Sequence, residues 1–383
     1  MTKSAVAVAA AIAVLAGCRA DDRIGAAVAS VGRVAQPAQP SYSVRVPVPP
    51  APVRIAAPQP LVAAIKAIGT QFDGKVGIAV QSINQGWTVS SNGDVKMPQQ
   101  SVSKLWVALT VLDLRDQGRL TLDDPVTVTK ADLTLFHQPV ASLVGDTGYR
   151  TTVRDLQYRA ITSSDNTAND RLLSYVGGPE AVRAMIARKQ LGAIRFGPGE
   201  RLLQSYTAGL TWQQRYSAAG AFQQARAALS PAVRAAAFNA YVADPIDGAS
   251  ANAIADALAR LVKGDLLSPS STQWLIQTMS ETRTGRARLR ANLPGGWSIA
   301  HKTGTGQDFG RRTAGFNDVG VLTAPDGRRY TVAVLIGDTS RPVRERQQLI
   351  QSVAGAVIAA EHNRSDMVVA QQPAAMSSAS GAN

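Results

Sequence analysis

The run Phe316-Asn317-Asp318-Val319-Gly320-Val321-Leu322-Thr323-Ala324-Pro325-Asp326-Gly327-Arg328-Arg329-Tyr330-Thr331-Val332-Ala333-Val334-Leu335-Ile336 decides the architecture. Residues 316–323 and 328–336 alternate in side-chain character, the period of a strand with two different faces. Asp-Gly between two such runs is a hairpin signal. Trp297 to Lys302 reads as a third strand before the hairpin, and Pro342 to Ala360 as a helix after it. At the other end of the chain, Leu61 to Phe72 has helical spacing. Lys75 to Ile83 is alternating and β-branched, Asn84-Gln85-Gly86 is a turn, and Trp87 to Ser91 is a further strand. Strands at both ends with helices between them do not make a βαβ array. The pattern predicts an α/β chain of the α+β type. One antiparallel sheet is built from both chain ends and flanked by helices, beside an all-helical subdomain.

The middle of the chain supplies those helices. Leu105 to Leu114 is apolar almost all round, so this helix must be surrounded by protein. Val126 to Val128 is a short strand. Thr151-Thr152-Val153-Arg154-Asp155 carries a helix-start signature. Thr167 to Val176 and Glu180 to Lys189 are helical, separated by Gly177-Gly178-Pro179. Residues 192–209 read as irregular, and helices are expected at about 211–226, 230–241, 249–263 and 270–282.

With 383 residues and 45% hydrophobic content, the chain can bury a sizeable core. Its net charge is +13, yet the basic residues are scattered and aromatics are only 5%, so nucleic acid is not expected as a partner. His137, His301 and His362 are not clustered, so no metal or cofactor is expected. A monomer is the default.

The N-terminus reads as a targeting segment. Lys3 is followed by an apolar run, Ala5 to Ala16, too short to span a bilayer comfortably. It ends in Leu15-Ala16-Gly17-Cys18, which resembles a bacterial lipoprotein lipobox. The resemblance implies cleavage before Cys18, lipid on that residue, and an exported, membrane-tethered protein, periplasmic and facing inward from the outer membrane. Cys18 is the single cysteine, so no intramolecular disulfide forms. Prolines crowd residues 18–59, the composition of an extended tether. The expected organisation is signal peptide 1–17, tether 18–59, folded domain 60–362 and disordered tail 363–383.

The chemistry begins at Ser101-Val102-Ser103-Lys104, read as the head of the apolar helix. A Ser and a Lys three residues apart lie roughly one turn apart on one face, so the amine reaches the hydroxyl. Two further short motifs follow: Ser164-Asp165-Asn166 between helices and Lys302-Thr303-Gly304 on a strand. Each is weak alone. Together, in this order and these contexts, they form the signature of class A β-lactamases and penicillin-binding proteins. The chain resembles the class A serine β-lactamases from about Pro60 to His362.

Opening a strained amide needs a nucleophile, a base, an acid for the departing nitrogen and donors for the oxyanion. The resemblance gives Ser101 the first role, with Lys104 as its base and Ser164 as proton relay. Asn166 would donate to a substrate amide carbonyl and orient Lys104. Lys302, Thr303 and Thr305 would meet the substrate carboxylate, with Arg311 or Arg312 as an additional contact. Backbone N–H groups of Ser101 and Thr305 would form the oxyanion hole. Gly304 would let substrate approach the backbone. Glu200-Arg201-Leu202-Leu203-Gln204 matches the family's deacylation pattern, with Gln204 where Asn is expected, and makes Glu200 the base that activates water. The expected function is β-lactam hydrolysis. A DD-peptidase-like enzyme acting on peptidoglycan stems, or a β-lactam-binding protein that deacylates slowly, remains open at this point.

Overall fold

The computed structural model describes residues 55–371. The expected signal peptide, Cys18 and nearly all of the tether lie outside the described residues.

Helix α1 (Gln59–Gln71) starts behind Pro58, with Pro60 in the first turn where a missing N–H costs nothing. Strands β1 (Lys75–Ser82) and β2 (Thr88–Ser91) form the expected hairpin, Val80 opposite Val89. A 3₁₀ turn, Gln100–Ser103, then leads into α2 (Lys104–Asp116). Ser101 therefore precedes the α-helix instead of starting it. Every residue of α2 from Lys104 to Asp113 is buried, as its missing polar face demands.

Strand β3 (Pro125–Val128) pairs with β4 (Tyr149–Thr152) in a separate two-stranded ribbon. Strand β4 has four partly exposed residues and no apolar alternation, so no sequence signal marks it. Helix α3 (Val153–Thr162) is capped by Thr152, whose side chain accepts from the Asp155 N–H at 3.2 Å. Helices α4 (Asn166–Tyr175) and α5 (Gly178–Arg188) follow, separated at Gly177.

Residues 192–209 are not irregular throughout, since α6 (Glu200–Ala208) occupies their second half. Gly199 offers no side-chain cap. The cap comes instead from Asp170 on α4, whose buried carboxylate accepts from the N–H groups of Glu200 (2.8 Å) and Arg201 (3.1 Å). A helix start supplied from 30 residues away leaves no local trace. The single helix expected at 211–226 breaks at Gly220 (φ +77°) into a 3₁₀ turn, Gln214–Ser217, and α7 (Ala221–Ala228). Helices α8 (Pro231–Ala243), α9 (Ala251–Lys263) and α10 (Pro269–Ser280) lie near their expected places.

The last third holds β5 (Ser298–Thr305), a small ribbon of β6 (Asp308–Phe309) and β7 (Arg312–Thr313), then β8 (Phe316–Thr323) and β9 (Arg329–Asp338). Gly327 adopts φ +85° in the β8–β9 turn, which only glycine takes cheaply. Helix α11 (Val343–Gln371) closes the chain. It passes Asn363, where a disordered tail was expected. No Pro occurs within it, and its single glycine, Gly355, does not break it.

The main sheet has the order β2-β1-β9-β8-β5 with every neighbouring pair antiparallel. Strands from both chain ends thus join in one sheet, meeting where β1 pairs with β9. Pleating sends Ile78, Val80, Val332, Val334 and Ile336 to one face, against Leu61 and Ile65 of α1 and Ile350 and Val353 of α11. Ala79, Ala333 and Leu335 face the other way, against α2 and α9 through Leu105, Trp106, Ile254 and Leu258. The small side chains on this face let the helices approach closely. That brings the Ser101 turn to the edge of β5.

Candidate active site

Four separate elements deliver the predicted residues to one cavity of about 330 Å³. Ser101, Ser164, Asn166, Glu200, Gln204, Thr303 and Thr305 all line it. The turn before α2 supplies Ser101, the α3–α4 loop and the first residue of α4 supply Ser164 and Asn166, α6 supplies Glu200 and Gln204, and β5 supplies Thr303 and Thr305.

The centre is Lys104. It is fully buried, and its ammonium donates to Ser101 Oγ at 2.7 Å, to Asn166 Oδ1 at 2.9 Å and to Glu200 Oε1. Three acceptors account for its three protons. Burial of the pair is nearly complete, with 0% of the Lys104 and 3% of the Glu200 side chain exposed. A charge so buried persists only because its partner is in contact. Lys302 forms the second cation. Its ammonium donates to Ser164 Oγ at 2.9 Å and to the Thr303 carbonyl at 2.9 Å. Burial, reinforced by the positive charge of Lys104, holds its pKa well below the usual lysine range. Ser164 thus stands on a proton donor, and Ser101 touches Lys104 directly.

Local backbone strain aims these groups. Gln100 (φ +54°) and Ser164 (φ +60°), beside and within two of the motifs, adopt left-handed conformations that non-glycine residues rarely take. The Gln100 turn is held by its neighbours. Its N–H donates to Asp247 Oδ2 at 2.8 Å, and its side-chain amide donates to Tyr241 OH at 2.6 Å. Burial pushes the Asp247 carboxyl up to about 6, against hydrogen bonds from Gln100 and Tyr241. Gln99 before it accepts from Trp106 Nε1 at 2.7 Å, so Trp106 anchors the turn as well as filling the core. Ser164 is held by Asp165, which caps α4 through the Ala168 N–H (2.9 Å) and also accepts from the Val140 N–H (2.6 Å).

Gln204 is clamped at both ends of its amide. Its Nε2 donates to Gln100 Oε1 at 2.9 Å, and its Oε1 accepts from Gln307 Nε2 at 3.0 Å. Its approach to Glu200 Oε2 is longer, 3.4 Å. Gly304 has a role different from the expected one. A Cβ there would lie 2.3 Å from the Gln99 carbonyl oxygen, so the missing side chain admits the nucleophile's turn to the strand.

The model of the β-lactamase enzyme family matches residues 60–360. The chain belongs to that family. It is a class A serine β-lactamase. It is 29% identical over 280 residues to the extended-spectrum β-lactamase PER-1 of Pseudomonas aeruginosa, covering 73% of this chain and 80% of that one. It is 30% identical over 249 residues to β-lactamase L2 of Stenotrophomonas maltophilia, covering 65% and 68%. Among solved structures, a β-lactamase from Chitinophaga pinensis has a TM-score of 0.65 at 27% identity, covering 79% of this chain and 99% of that chain. The TLA-1 extended-spectrum β-lactamase has a TM-score of 0.66 at 25% identity, covering 79% and 98%.

In this β-lactamase neither Arg311 nor Arg312 lines the cavity. Arg311 is exposed on the β6–β7 turn and does not line the cavity, and Arg312 pairs with Asp338 at 2.7 Å. The cavity holds Arg288 instead, from the segment between α10 and β5. Its guanidinium donates to Thr305 Oγ1 at 2.6 Å and to the carbonyls of Gly304 (3.0 Å) and Asn317 (2.6 Å), and it lies over the Phe316 ring at 3.8 Å. Burial lowers its pKa to about 10, which leaves it a cation at neutral pH. An arginine in Arg286-Ala287-Arg288 among other scattered arginines carries no motif, so sequence reading had no means to select it. His137 and Phe136 reach the mouth of the cavity, both exposed. His301 is fully buried on β5, with Nδ1 2.8 Å from Asp318 Oδ1.

Proposed function

We propose that this chain hydrolyses the β-lactam amide through an acyl-enzyme on Ser101, and that water activated by Glu200 releases the product. The observation that carries the reading is Lys104, one buried side chain in contact with both Ser101 and Glu200.

Lys104 takes the Ser101 proton as the oxygen attacks the carbonyl carbon. The Lys104 proton that faces Glu200 passes to that carboxylate as attack begins, which leaves an amine to accept from Ser101. The tetrahedral oxyanion meets the backbone N–H groups of Ser101 and Thr305. Ser164, hydrogen-bonded to Lys302, passes a proton to the departing ring nitrogen. Lys302, Thr303 and Thr305 bind the substrate carboxylate, with Arg288 as the additional cation. For release, Glu200 takes a proton from water, which attacks the ester carbonyl; Lys104 gives a proton to the departing Ser101 oxygen and is recharged from Glu200. The clamp on Gln204 keeps α6, and Glu200 with it, fixed against the Ser101 turn.

A DD-peptidase-like reading needs the same serine and lysines but no buried carboxylate on Lys104, and the Lys104–Glu200 contact favours the hydrolase. Mass spectrometry of wild-type protein mixed with benzylpenicillin tests the choice. A transient adduct on the Ser101 peptide, followed by steady release of the ring-opened acid, is expected. A permanent adduct with no turnover would sink hydrolysis.

The reading extends to location. Lys3, the apolar run and Leu15-Ala16-Gly17-Cys18 support an exported enzyme anchored in the membrane by lipid on Cys18. Radiolabelled palmitate should enter the wild-type chain in cells. Equal labelling of Cys18→Ser would refute the anchor.

A further inference from the structure

We infer that this enzyme favours β-lactams bearing an anionic group on the acyl side chain, and that Arg226 recognises that group. The inference rests on the β-lactam reading above and names a substrate class within it.

Arg226 belongs to α7, part of the helical stretch between α6 and α9 that the sequence leaves without a role. It lines the same cavity as Ser101 and Arg288. The two arginines serve different ends. Arg288 sits on Thr305 Oγ1, at the ring-carboxylate end common to all β-lactams. Arg226 reaches a different partner, toward α6. Its Nη1 donates to Gln307 Oε1 at 2.9 Å, and Gln307 Nε2 donates to the Gln204 carbonyl at 2.7 Å. That chain of contacts puts the guanidinium at the gap between α6 and the end of β5. The acyl side chain leaves Ser101 through this gap, because β5 offers its edge to the acyl amide and α6 forms the facing wall.

The charge at this position is uncompensated. Gln307 uses one of five guanidinium donors. Among the described residues no carboxylate forms an ion pair with Arg226. The acid that most favours its charge is Asp308, which is exposed and already accepts a hydrogen bond from Thr313 Oγ1. Arg234 adds a second positive charge nearby, and with partial burial it works against the Arg226 cation. A half-buried cation with free donors, at the mouth of a substrate cavity, is completed by an anion from the substrate.

The residue is also held in place. Phe222, one helical turn earlier on the same face of α7, is fully buried and meets Phe136 edge-on at 5.1 Å and Tyr216 at 5.9 Å. Phe136 lines the cavity too, so α7 is fastened to the rim it guards.

The test compares two penicillins that differ by one carboxylate. Carbenicillin carries it on the phenylacetyl carbon, and benzylpenicillin has hydrogen there. The ratio of their kcat/KM values is measured in wild type, Arg226→Ala, Arg226→Lys and Arg226→Glu. Loss of a charge-assisted hydrogen bond should lower the carbenicillin:benzylpenicillin ratio about tenfold in Arg226→Ala. Arg226→Lys should restore part of it, and Arg226→Glu should lower it further. A purely structural Arg226, acting through Gln307 and Gln204, would depress both substrates together and leave the ratio unchanged, which overturns the inference. Should Arg226→Ala fail to fold, wild type alone decides. Added sodium chloride should reduce kcat/KM for carbenicillin more steeply than for benzylpenicillin, and parallel slopes overturn the inference. Absence of both turnover and a Ser101 adduct with either compound would remove the β-lactam reading itself, and the inference with it.

Discussion

Glu200→Ala should convert the enzyme into a stoichiometric trap. Ser101 keeps its contact with Lys104, and the oxyanion donors are backbone groups that the substitution leaves in place. Lys104 stays in hydrogen-bond contact with Ser101 Oγ, in place to accept its proton. Acylation therefore continues, whereas the base that activates water is absent. General-base catalysis typically contributes about 10²–10⁴-fold, and steady-state kcat should fall by that amount. The diagnostic result is a burst of one product equivalent per enzyme, then a near standstill, with the adduct visible by mass on the Ser101 peptide. Loss of the burst would show that Glu200 is needed for acylation. Undiminished turnover would show that another group activates water.

Gly304→Ala is the second large effect, and it acts through geometry alone. The new Cβ would lie 2.3 Å from the Gln99 carbonyl oxygen and 3.2 Å from Asn317 Nδ2, which donates to that same oxygen at 3.0 Å. Both neighbours are backbone or tightly held, so the Ser101 turn and β5 must separate. In the proposed mechanism Ser101 and Thr305, which flank this contact, supply the two oxyanion N–H groups. A misplacement of about 1 Å there costs roughly 10²-fold in kcat/KM. Overpacking should also lower stability by about 1–3 kcal/mol. Urea unfolding separates the two losses. A variant with reduced stability and wild-type kcat/KM would contradict the oxyanion assignment.

The features legible in the sequence are those with local causes. The β8–β9 hairpin is written in alternation and Asp326-Gly327, and the burial of α2 in its missing polar face. Thr152 announces α3 because its hydroxyl caps a helix three residues on. The motif residues Ser101, Ser164 and Lys302 carry recognisable neighbours. What escaped depends on partners distant in the chain. The start of α6 is capped by Asp170, the turn at Gln100 is held by Asp247 and Tyr241, and Arg288 gains its place by contacts with Gly304, Thr305 and Asn317. Gly304 was recognised as necessary, but the group it accommodates is the chain's own Gln99 carbonyl. The difference between Arg311 and Arg288 has the same origin. A long cationic side chain says nothing about which cavity it enters until the strands beside it are paired.

The pairing of β1 with β9 joins Lys75 to Asp338 and Ser82 to Tyr330 across most of the folded chain. A sheet closed by its first and last strands has high contact order, and such topologies fold slowly because the loop-closure entropy comes first. During synthesis, β1 and β2 wait without their neighbour until β9 has left the ribosome, and α1 waits for α11 to complete the face they share. The nucleophile's turn rests on β5, which is held in the sheet only through β8 and β9. Catalytic competence is thus withheld until nearly the whole domain has been made. No shortened nascent chain carries an assembled Ser101 site.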